Sequence, residues 1–269
     1  MATMERNGGR LYYEVHDLTP PWRAKPETIV FHHGVGTDAG IWSAWLPVLA
    51  PHYRLVRFDT RGFGRSHIPG AGFDWSLHLL VDDVLAVAEA AGAGRFHLVG
   101  ESLGGTVAMA LAARHPGVLR SLTACSASHR GGSIQRVRHW REFIAQNGVE
   151  AWSRDMMTLR FAKGAVPPEV AAWFHRTQSA CSADSLLDLA DLLIGTDLSP
   201  ELGAIPCPTL LLAPDSSPFV PLALPVEVRE LIPGAELMVF PGARHGLACS
   251  HGHACAEALR DFLARRTSA

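Results

Sequence analysis

The sequence predicts an α/β protein with a mostly parallel, doubly wound sheet that is covered by helices. Strand-like and helix-like segments alternate along most of the chain, which is typical of parallel strands joined by crossover helices. Several of the strand candidates are nearly continuous apolar runs, as expected for strands buried on both faces. The candidate strands are residues 11–15, 28–32, 53–58, 96–99, 119–124, 209–213 and 236–240.

Helical periodicity is clearest between residues 77 and 90. Apolar side chains recur there at every third or fourth position, and Asp82, Asp83 and Glu89 lie off the apolar stripe. A last helix near residues 255–265 repeats this pattern.

The alternation stops between residues 129 and 204, where several short helices with aromatic and charged side chains are predicted. Helices inserted between two sheet strands favour a cap over the carboxyl ends of the strands, the edge at which such sheets bind ligands. We therefore expect a core domain of residues 1–128 and 205–269 and a helical cap of residues 129–204. An ordinary helical layer with a buried aromatic core is the alternative.

The bulk composition predicts a globular protein that acts on a small molecule. Its formal net charge is −2, which gives no electrostatic attraction for nucleic acid or an anionic membrane. No apolar run approaches the roughly 18 residues of a membrane span, and the N-terminal residues lack the apolar stretch of a secretory signal. Five scattered cysteines do not indicate a disulfide framework. We expect a soluble, cytoplasmic protein and leave its oligomeric state open.

Histidine and cysteine are frequent near the C terminus, but their spacing does not match common zinc sites. Neither a Cys-x-x-Cys nor a His-x-x-x-His pair occurs among them. We expect no metal and no cofactor. The residues concerned are His245, Cys249, His251, His253 and Cys255.

The strongest functional signal is the pentapeptide Gly100-Glu101-Ser102-Leu103-Gly104, which follows the apolar run 96–99 and precedes a helix of small residues. A Gly-x-Ser-x-Gly at a strand-to-helix junction is typical of a sharp turn that exposes a nucleophilic serine. Because a serine hydroxyl is a poor nucleophile at neutral pH, Ser102 requires a neighbouring base.

The predicted base is His245, which lies in a short glycine-containing loop after the last strand. An acid that orients this imidazole is expected after strand 209–213, where Asp215 is the only carboxylate. The order Ser102, Asp215, His245 along the chain is that of a serine–acid–histidine triad on an α/β sheet.

A tetrahedral oxyanion needs backbone donors. We expect the amide of Leu103, directly after the nucleophile, and the amide of Val35, in the glycine-containing loop after the strand 28–32, to provide them. A strand-ending glycine turn without function is the alternative for the second loop.

Four motifs in this order make the chain resemble the α/β-hydrolase superfamily over essentially its whole length. The resemblance implies the α/β-hydrolase fold with an inserted helical cap, and it implies that Asp59 and Arg61 brace a loop beneath the site. A serine at position 102 separates the chain from the related branches that use an aspartate nucleophile. The motifs are His33-Gly34, Asp59-Thr60-Arg61-Gly62-Phe63-Gly64-Arg65-Ser66, Gly100-Glu101-Ser102-Leu103-Gly104-Gly105 and Gly242-Ala243-Arg244-His245.

The segment Val56-Arg57-Phe58-Asp59-Thr60-Arg61-Gly62 and the chain length resemble the 3-oxoadipate enol-lactonase-like group. This resemblance implies cleavage of a small lactone or ester, including one that bears a carboxylate. Arginine binds a carboxylate through two parallel hydrogen bonds, although a solvated surface arginine is the alternative for each candidate. The candidate substrate-binding residues of the cap are Trp140, Arg141, Arg154 and Arg160.

The chain departs from the family pattern at the expected acid. Aligned on Pro218, the family's acid position holds Ser217, and Asp215 lies two residues earlier. Three alternatives stay open: a re-routed loop that brings Asp215 to His245, an acid from elsewhere, and a serine–histidine dyad. For Glu101, beside the nucleophile, we expect a side chain that points away from the pocket or pairs with an arginine.

Together these observations predict a cofactor-free serine hydrolase that cleaves a small ester or lactone through an acyl-enzyme. Amidase, deformylase or carbon–carbon bond hydrolase chemistry on the same residues is the first alternative. A non-catalytic ligand-binding protein on a hydrolase scaffold is the second.

Overall fold

A computed structural model describes residues 1–22 and 25–267; positions 23, 24, 268 and 269, which fall within the predicted core domain, lie outside the described residues. Within the described part, one 8-stranded sheet has the order β1-β2-β4-β3-β5-β6-β7-β8. The pairs β1–β2 and β2–β4 are antiparallel, and all the other neighbours are parallel. The strands are β1 Ala2–Arg6, β2 Gly9–His16, β3 Thr28–His32, β4 Arg54–Asp59, β5 Phe96–Glu101, β6 Leu119–Cys125, β7 Thr209–Pro214 and β8 Glu236–Phe240.

Helices cover both faces of this sheet, and two large apolar clusters fill the spaces between them. None of the helices in the described part of the chain is long and apolar enough to cross a bilayer. The helices are α1 Leu46–Leu49, α2 Leu77–Ala90, α3 Leu103–Arg114, α4 Trp140–Arg160, α5 Pro168–Ser179, α6 Ala183–Gly195, α7 Ala223–Leu231, α8 Leu247–Ser250 and α9 Gly252–Thr267.

The predicted fold class is confirmed: each strand candidate lies in an observed strand, apart from Tyr53, which precedes β4. The sequence missed β1, because its residues are largely exposed and mostly polar and it pairs only with β2 at the edge of the sheet. Helix α2 has the predicted bounds because the Ser76 side chain accepts a hydrogen bond from the amide of Leu79 and caps its N terminus.

Helices α4, α5 and α6 all lie between β6 and β7, where the sequence predicted the helical insertion. Helix α4 is longer than expected, but Gly148 interrupts it with the non-helical angles φ 80° and ψ 167°. Trp140 and Trp152, on opposite sides of this break, pack edge to face with ring centroids 4.9 Å apart. The division into a core domain of residues 1–128 and 205–269 and a cap of residues 129–204 stays a prediction.

Buried charges hold the loop after β4 in place. Arg61 donates two hydrogen bonds of 2.9 Å to the carboxylate of Asp83 on α2, and both side chains are almost completely buried. Asp59 accepts hydrogen bonds from the amides of Ala39 and Arg65, at 2.9 and 2.8 Å. Asp59 and Arg61 therefore have the bracing contacts that the family resemblance implies.

We predict that Asp83→Asn lowers the free energy of unfolding by about 3–5 kcal/mol, because it leaves the Arg61 cation buried without its counter-charge. Urea unfolding of the two proteins measures this difference. The matched control is Asp82→Asn, which removes a partly exposed carboxylate that lies 3.5 Å from an exposed histidine and should cost little. Equal losses for the two variants would contradict the bracing role.

Candidate active site

Ser102 lies on a strained turn between β5 and α3. Its φ of 53° and ψ of −117° are unusual for a residue with a side chain. The flanking glycines are required, since a Cβ on Gly100 would overlap the carbonyl of Gly104, and a Cβ on Gly104 would overlap the carbonyl of His32. The turn therefore has the geometry that the sequence predicted for an exposed nucleophile.

His245 reaches this turn from the loop after β8. Its Nε2 lies 3.1 Å from Oγ of Ser102, and its ring packs edge to face on Phe219 at 5.0 Å. Burial, reinforced by the positive charge of Arg160, lowers the pKa of His245 to about 3. The imidazole is therefore neutral at ordinary pH, as a general base must be.

Asp215 does not contact His245, which corrects the sequence prediction for this residue. Its carboxylate accepts hydrogen bonds from the amide of Gly242 and the hydroxyl of Ser216, both at 2.8 Å, and the residue is exposed. Asp215 therefore ties its own loop to the loop that carries His245. The side chain beside Nδ1 of the imidazole belongs to Ser217, whose Oγ lies 3.3 Å away.

The presence of Ser217 beside the imidazole, in place of Asp215, has a simple local cause. Asp215 directly follows β7, and its amide bonds the carbonyl of Phe240 beside it, so its side chain stays at the sheet edge. Ser217 lies two residues farther into the loop and faces the imidazole. The position that the family alignment marks is therefore the one that faces His245, and it holds a hydroxyl.

The two predicted oxyanion donors have free amides. Among the described residues, neither the amide of Val35 nor that of Leu103 donates a hydrogen bond. Leu103 is the first residue of α3, so its N–H belongs to the positive end of the helix dipole. Their role as an oxyanion hole stays a prediction.

A small cavity opens beside Ser102 and His245. Most of its wall is apolar, and part of the wall comes from the helical segment between β6 and β7. The lining residues are Val35, Ser102, Thr106, Ser126, Ser128, Ile134, Val137, Trp140, Arg160, Ala190, Leu193, Phe219, Val220 and His245.

Arg160, the last residue of α4, brings a buried cation to this cavity. Its Nη2 donates to the carbonyl of Val35 at 3.3 Å. The side-chain amide of Gln178 satisfies both neighbours when its nitrogen donates to Oγ of Ser153. Its oxygen then accepts hydrogen bonds from Nε and Nη2 of Arg160 at 3.0 and 3.2 Å. Within the described chain, Nη1 of Arg160 has no hydrogen-bond partner, which leaves it available to a ligand.

Glu101 lies buried beneath the serine turn, next to the backbone of Gly34. Burial raises the pKa of Glu101 to about 7, against the opposing influence of the Arg160 charge and the Gly34 amide. The carboxyl group thus feels the charge of Arg160, although the two side chains do not form an ion pair within 4.0 Å. It titrates near neutral pH, so the net charge of the Glu101–Arg160 pair depends on pH.

The other cap candidates divide into two groups. Arg141 and Arg154 are exposed, do not line the cavity and form surface ion pairs, Arg141 with Asp191 at 2.6 Å and Arg154 with Glu150 at 3.1 Å. Their role in substrate binding therefore has no support from the cavity, because Asp191 on α6 and Glu150 on α4 hold them at the surface. Trp140 does line the cavity, and among the described residues its buried indole N–H has no acceptor.

The histidines and cysteines near the C terminus are dispersed. His253 faces Glu257 on the surface of α9 at 3.3 Å, whereas Cys255 is buried against Cys125. Within residues 1–22 and 25–267, no three histidine, cysteine, aspartate or glutamate side chains are grouped closely enough to hold a metal ion.

Comparison with known proteins places this architecture among relatives. The family model described as the alpha/beta hydrolase fold matches residues 27–249. A protein of Agrobacterium fabrum named "Putative carbamate hydrolase RutD" is 26% identical over 255 residues, covering 88% of this chain and 92% of that protein. A protein of the same name from Klebsiella pneumoniae is 28% identical over 250 residues, covering 90% of this chain and 93% of that protein.

Among solved structures, the enol-lactonase from Burkholderia xenovorans superposes with a TM-score of 0.88 at 24% sequence identity. The match covers 98% of this chain and 100% of that one. This likeness shows the shared fold.

We predict that Asp215→Ala changes the kcat for a chromogenic p-nitrophenyl ester by less than about threefold, because the carboxylate contacts a backbone amide and not the imidazole. An acid that orients the imidazole would cost about 10⁴-fold when removed. Steady-state kinetics with a p-nitrophenyl ester distinguishes these values, and a loss near the larger one would return Asp215 to the site.

Proposed function

The chain belongs to the alpha/beta hydrolase family, and from this premise we propose that it is a serine hydrolase that cleaves a small ester or lactone through an acyl-enzyme. The observation that carries the proposal is the 3.1 Å contact between Oγ of Ser102 and Nε2 of His245 at the wall of the cavity. A strained turn and a neutral imidazole meet at this point, and the free amide of Leu103 directly follows the turn.

In the proposed mechanism, Oγ of Ser102 attacks the carbonyl carbon while its proton passes to Nε2 of His245. The amides of Val35 and Leu103 donate hydrogen bonds to the oxyanion that develops. As the tetrahedral intermediate collapses, the leaving oxygen takes the proton from Nε2 and the acyl group stays on Ser102. Water then repeats the sequence against the acyl-enzyme and releases the acid.

The polar groups of the cavity favour a substrate with a carboxylate or a similar anionic group. Nη1 of Arg160 lacks a hydrogen-bond partner among the described residues, since only Nε and Nη2 of this side chain are engaged. A buried donor without an acceptor is costly, so a substrate oxygen that accepts from it gains affinity. The apolar remainder of the wall suits a short hydrocarbon chain.

A carbamate is the second candidate substrate class. The sequence relatives at 26% and 28% identity carry the name of a carbamate hydrolase. Attack by Ser102 on a carbamate carbonyl would use the same base and oxyanion donors, with nitrogen or oxygen as the leaving atom. Mass spectrometry of the products from matched esters, lactones and carbamates separates these classes.

We predict that a fluorophosphonate probe labels the wild-type protein at Ser102 and that Ser102→Ala abolishes the labelling. Turnover of a p-nitrophenyl ester should fall by about 10⁶-fold, the loss expected when a nucleophile and its base act as a unit. The control is Ser126→Ala, since Ser126 also lines the cavity but does not contact His245. Absence of wild-type labelling would reject the hydrolase and favour a ligand-binding protein.

We predict that Arg160→Met lowers kcat/KM for p-nitrophenyl hemisuccinate about 10- to 100-fold relative to p-nitrophenyl butyrate, because a charged hydrogen bond contributes about 1.5–3 kcal/mol. Using the ratio of the two substrates within each variant removes any general damage to the site. Arg154→Met, on the exposed side of the same helix, is the matched control and should leave the ratio unchanged.

The ratio of kcat/KM for p-nitrophenyl hemisuccinate to that for p-nitrophenyl butyrate should fall in the wild-type protein as the pH rises through about 7. Ionised Glu101 then offsets the charge of Arg160. Glu101→Gln should remove this pH dependence while keeping the acceptor for the Gly34 amide. A ratio that Arg160→Met does not alter would reject an anionic substrate and leave the ester hydrolase itself intact.

A further inference from the structure

The hydroxyl of Ser217 has three close polar neighbours. Its Oγ lies 3.3 Å from the amide nitrogen of Phe219 and 3.1 Å from that of Val220, and both N–H groups point at it. The third neighbour is Nδ1 of His245, also at 3.3 Å. Within the described chain, this hydroxyl is the only hydrogen-bond partner of Nδ1.

A hydroxyl has one proton and two lone pairs. The two backbone amides can only donate, so they occupy both lone pairs of Ser217 Oγ. The remaining contact must then use the hydroxyl proton, which makes Nδ1 of His245 the acceptor.

From this count we propose that Ser217 is a positioning residue that holds His245 in the tautomer with its proton on Nε2. In the resting protein the imidazole then donates a hydrogen bond to Ser102, the reverse of what proton abstraction requires. The charged groups near the ring agree with a neutral imidazole: Arg160 disfavours its protonation, and the Asp215 carboxylate is engaged with Gly242.

The tautomer held by Ser217 affects the reaction itself, and this effect rests on the proposed function. Before Ser102 can lose its proton, the imidazole must shift its own proton from Nε2 to Nδ1. Ser217 would then have to accept a third hydrogen bond while its own proton loses an acceptor. The tautomer that can act as base is therefore the minor one.

The minor population of the tautomer that can act as base restricts the substrates to those with a reactive carbonyl. With little base assistance, acylation is fast only when the carbonyl is already reactive, as in a strained lactone or an ester with a good leaving group. The surroundings of Ser217 would also suit a carboxylate, because two backbone amides and an imidazole N–H are the donors that an aspartate accepts from. The structure thus combines a site suited to an acid with a residue that is neutral.

The tautomer can be measured without any substrate. The protein is labelled with ¹⁵N-histidine, and long-range ¹H–¹⁵N correlation spectra are recorded at neutral pH. His245→Gln identifies the signals by their loss. We expect Nε2 of His245 to show the shift of a protonated nitrogen and Nδ1 that of an unprotonated one. The opposite pattern in the wild-type protein overturns the proposal.

Substitution of Ser217 provides the kinetic arm. Ser217→Asp should move the proton to Nδ1 and raise kcat for a p-nitrophenyl ester by about 10²-fold or more, since a wrong tautomer costs up to about 10⁴-fold in a serine–histidine–aspartate triad. Ser217→Ala removes the hydroxyl proton that holds the unproductive tautomer and should raise kcat, by less than Ser217→Asp does. A structural role alone would instead predict a loss in both variants.

The matched control is Ser216→Asp, which adds a carboxylate to the same loop at a side chain that contacts Asp215 and not the imidazole. It should change neither the spectrum nor kcat. If Ser217→Asp leaves the proton on Nε2 and the rate unchanged, Ser217 does not position the imidazole. Failure of Ser102 to react with the fluorophosphonate probe rejects the hydrolase instead, and the tautomer measurement stands apart from it.

Discussion

The architecture of the site depends on one close backbone approach. The N-terminal turn of α3 packs directly against the end of β3, because Gly104 leaves no Cβ between itself and the carbonyl of His32. This contact fixes the unusual backbone angles of Ser102 and brings the first amide of α3 beside the loop that carries Val35. Ser102 and both predicted oxyanion donors are therefore positioned by the backbone, before any side chain contributes.

Charge is distributed around this turn in an unusual way. The buried Arg160 at the end of α4 contacts the loop that carries Val35 and lines the cavity, and Glu101 lies directly beneath Ser102. The expected acid beside the imidazole is absent from its position, so the ring receives the influence of Arg160 without a compensating anion. Such an environment keeps the imidazole neutral and favours negative charge on a bound molecule. In acyl transfer, the transition state also develops negative charge on the bound molecule.

The sequence predicted the parts of this structure that depend on local pattern. The buried strands, the capped helix α2 and the Ser102 turn all follow from apolar runs, periodicity and glycine spacing. It also located His245, because a loop after the last parallel strand returns to the edge where the other strands end. The weak strand β1 was missed because an exposed edge strand has little apolar pattern.

What the sequence could not decide were contacts between side chains on different elements. Asp215 was favoured as the only acid after β7, although the departure at Ser217 already indicated which position faces the imidazole. The cap arginines look alike in sequence, and only the packing of α4 buries Arg160 while Arg141 and Arg154 stay in solvent. Burial of a charged side chain is a tertiary property, and a single sequence carries little signal for it.

The glycine that interrupts α4 has a consequence for how the two parts of the cavity wall are held together. Trp140 begins the helix and Arg160 ends it, so the aromatic and the cationic parts of the wall belong to two helical pieces joined at Gly148. A rigid rod would transmit any displacement of one end to the other. With the break, the piece that carries Trp140 and the piece that carries Arg160 are held in register by side-chain packing, such as that of Trp140 on Trp152, and not by one continuous series of backbone hydrogen bonds.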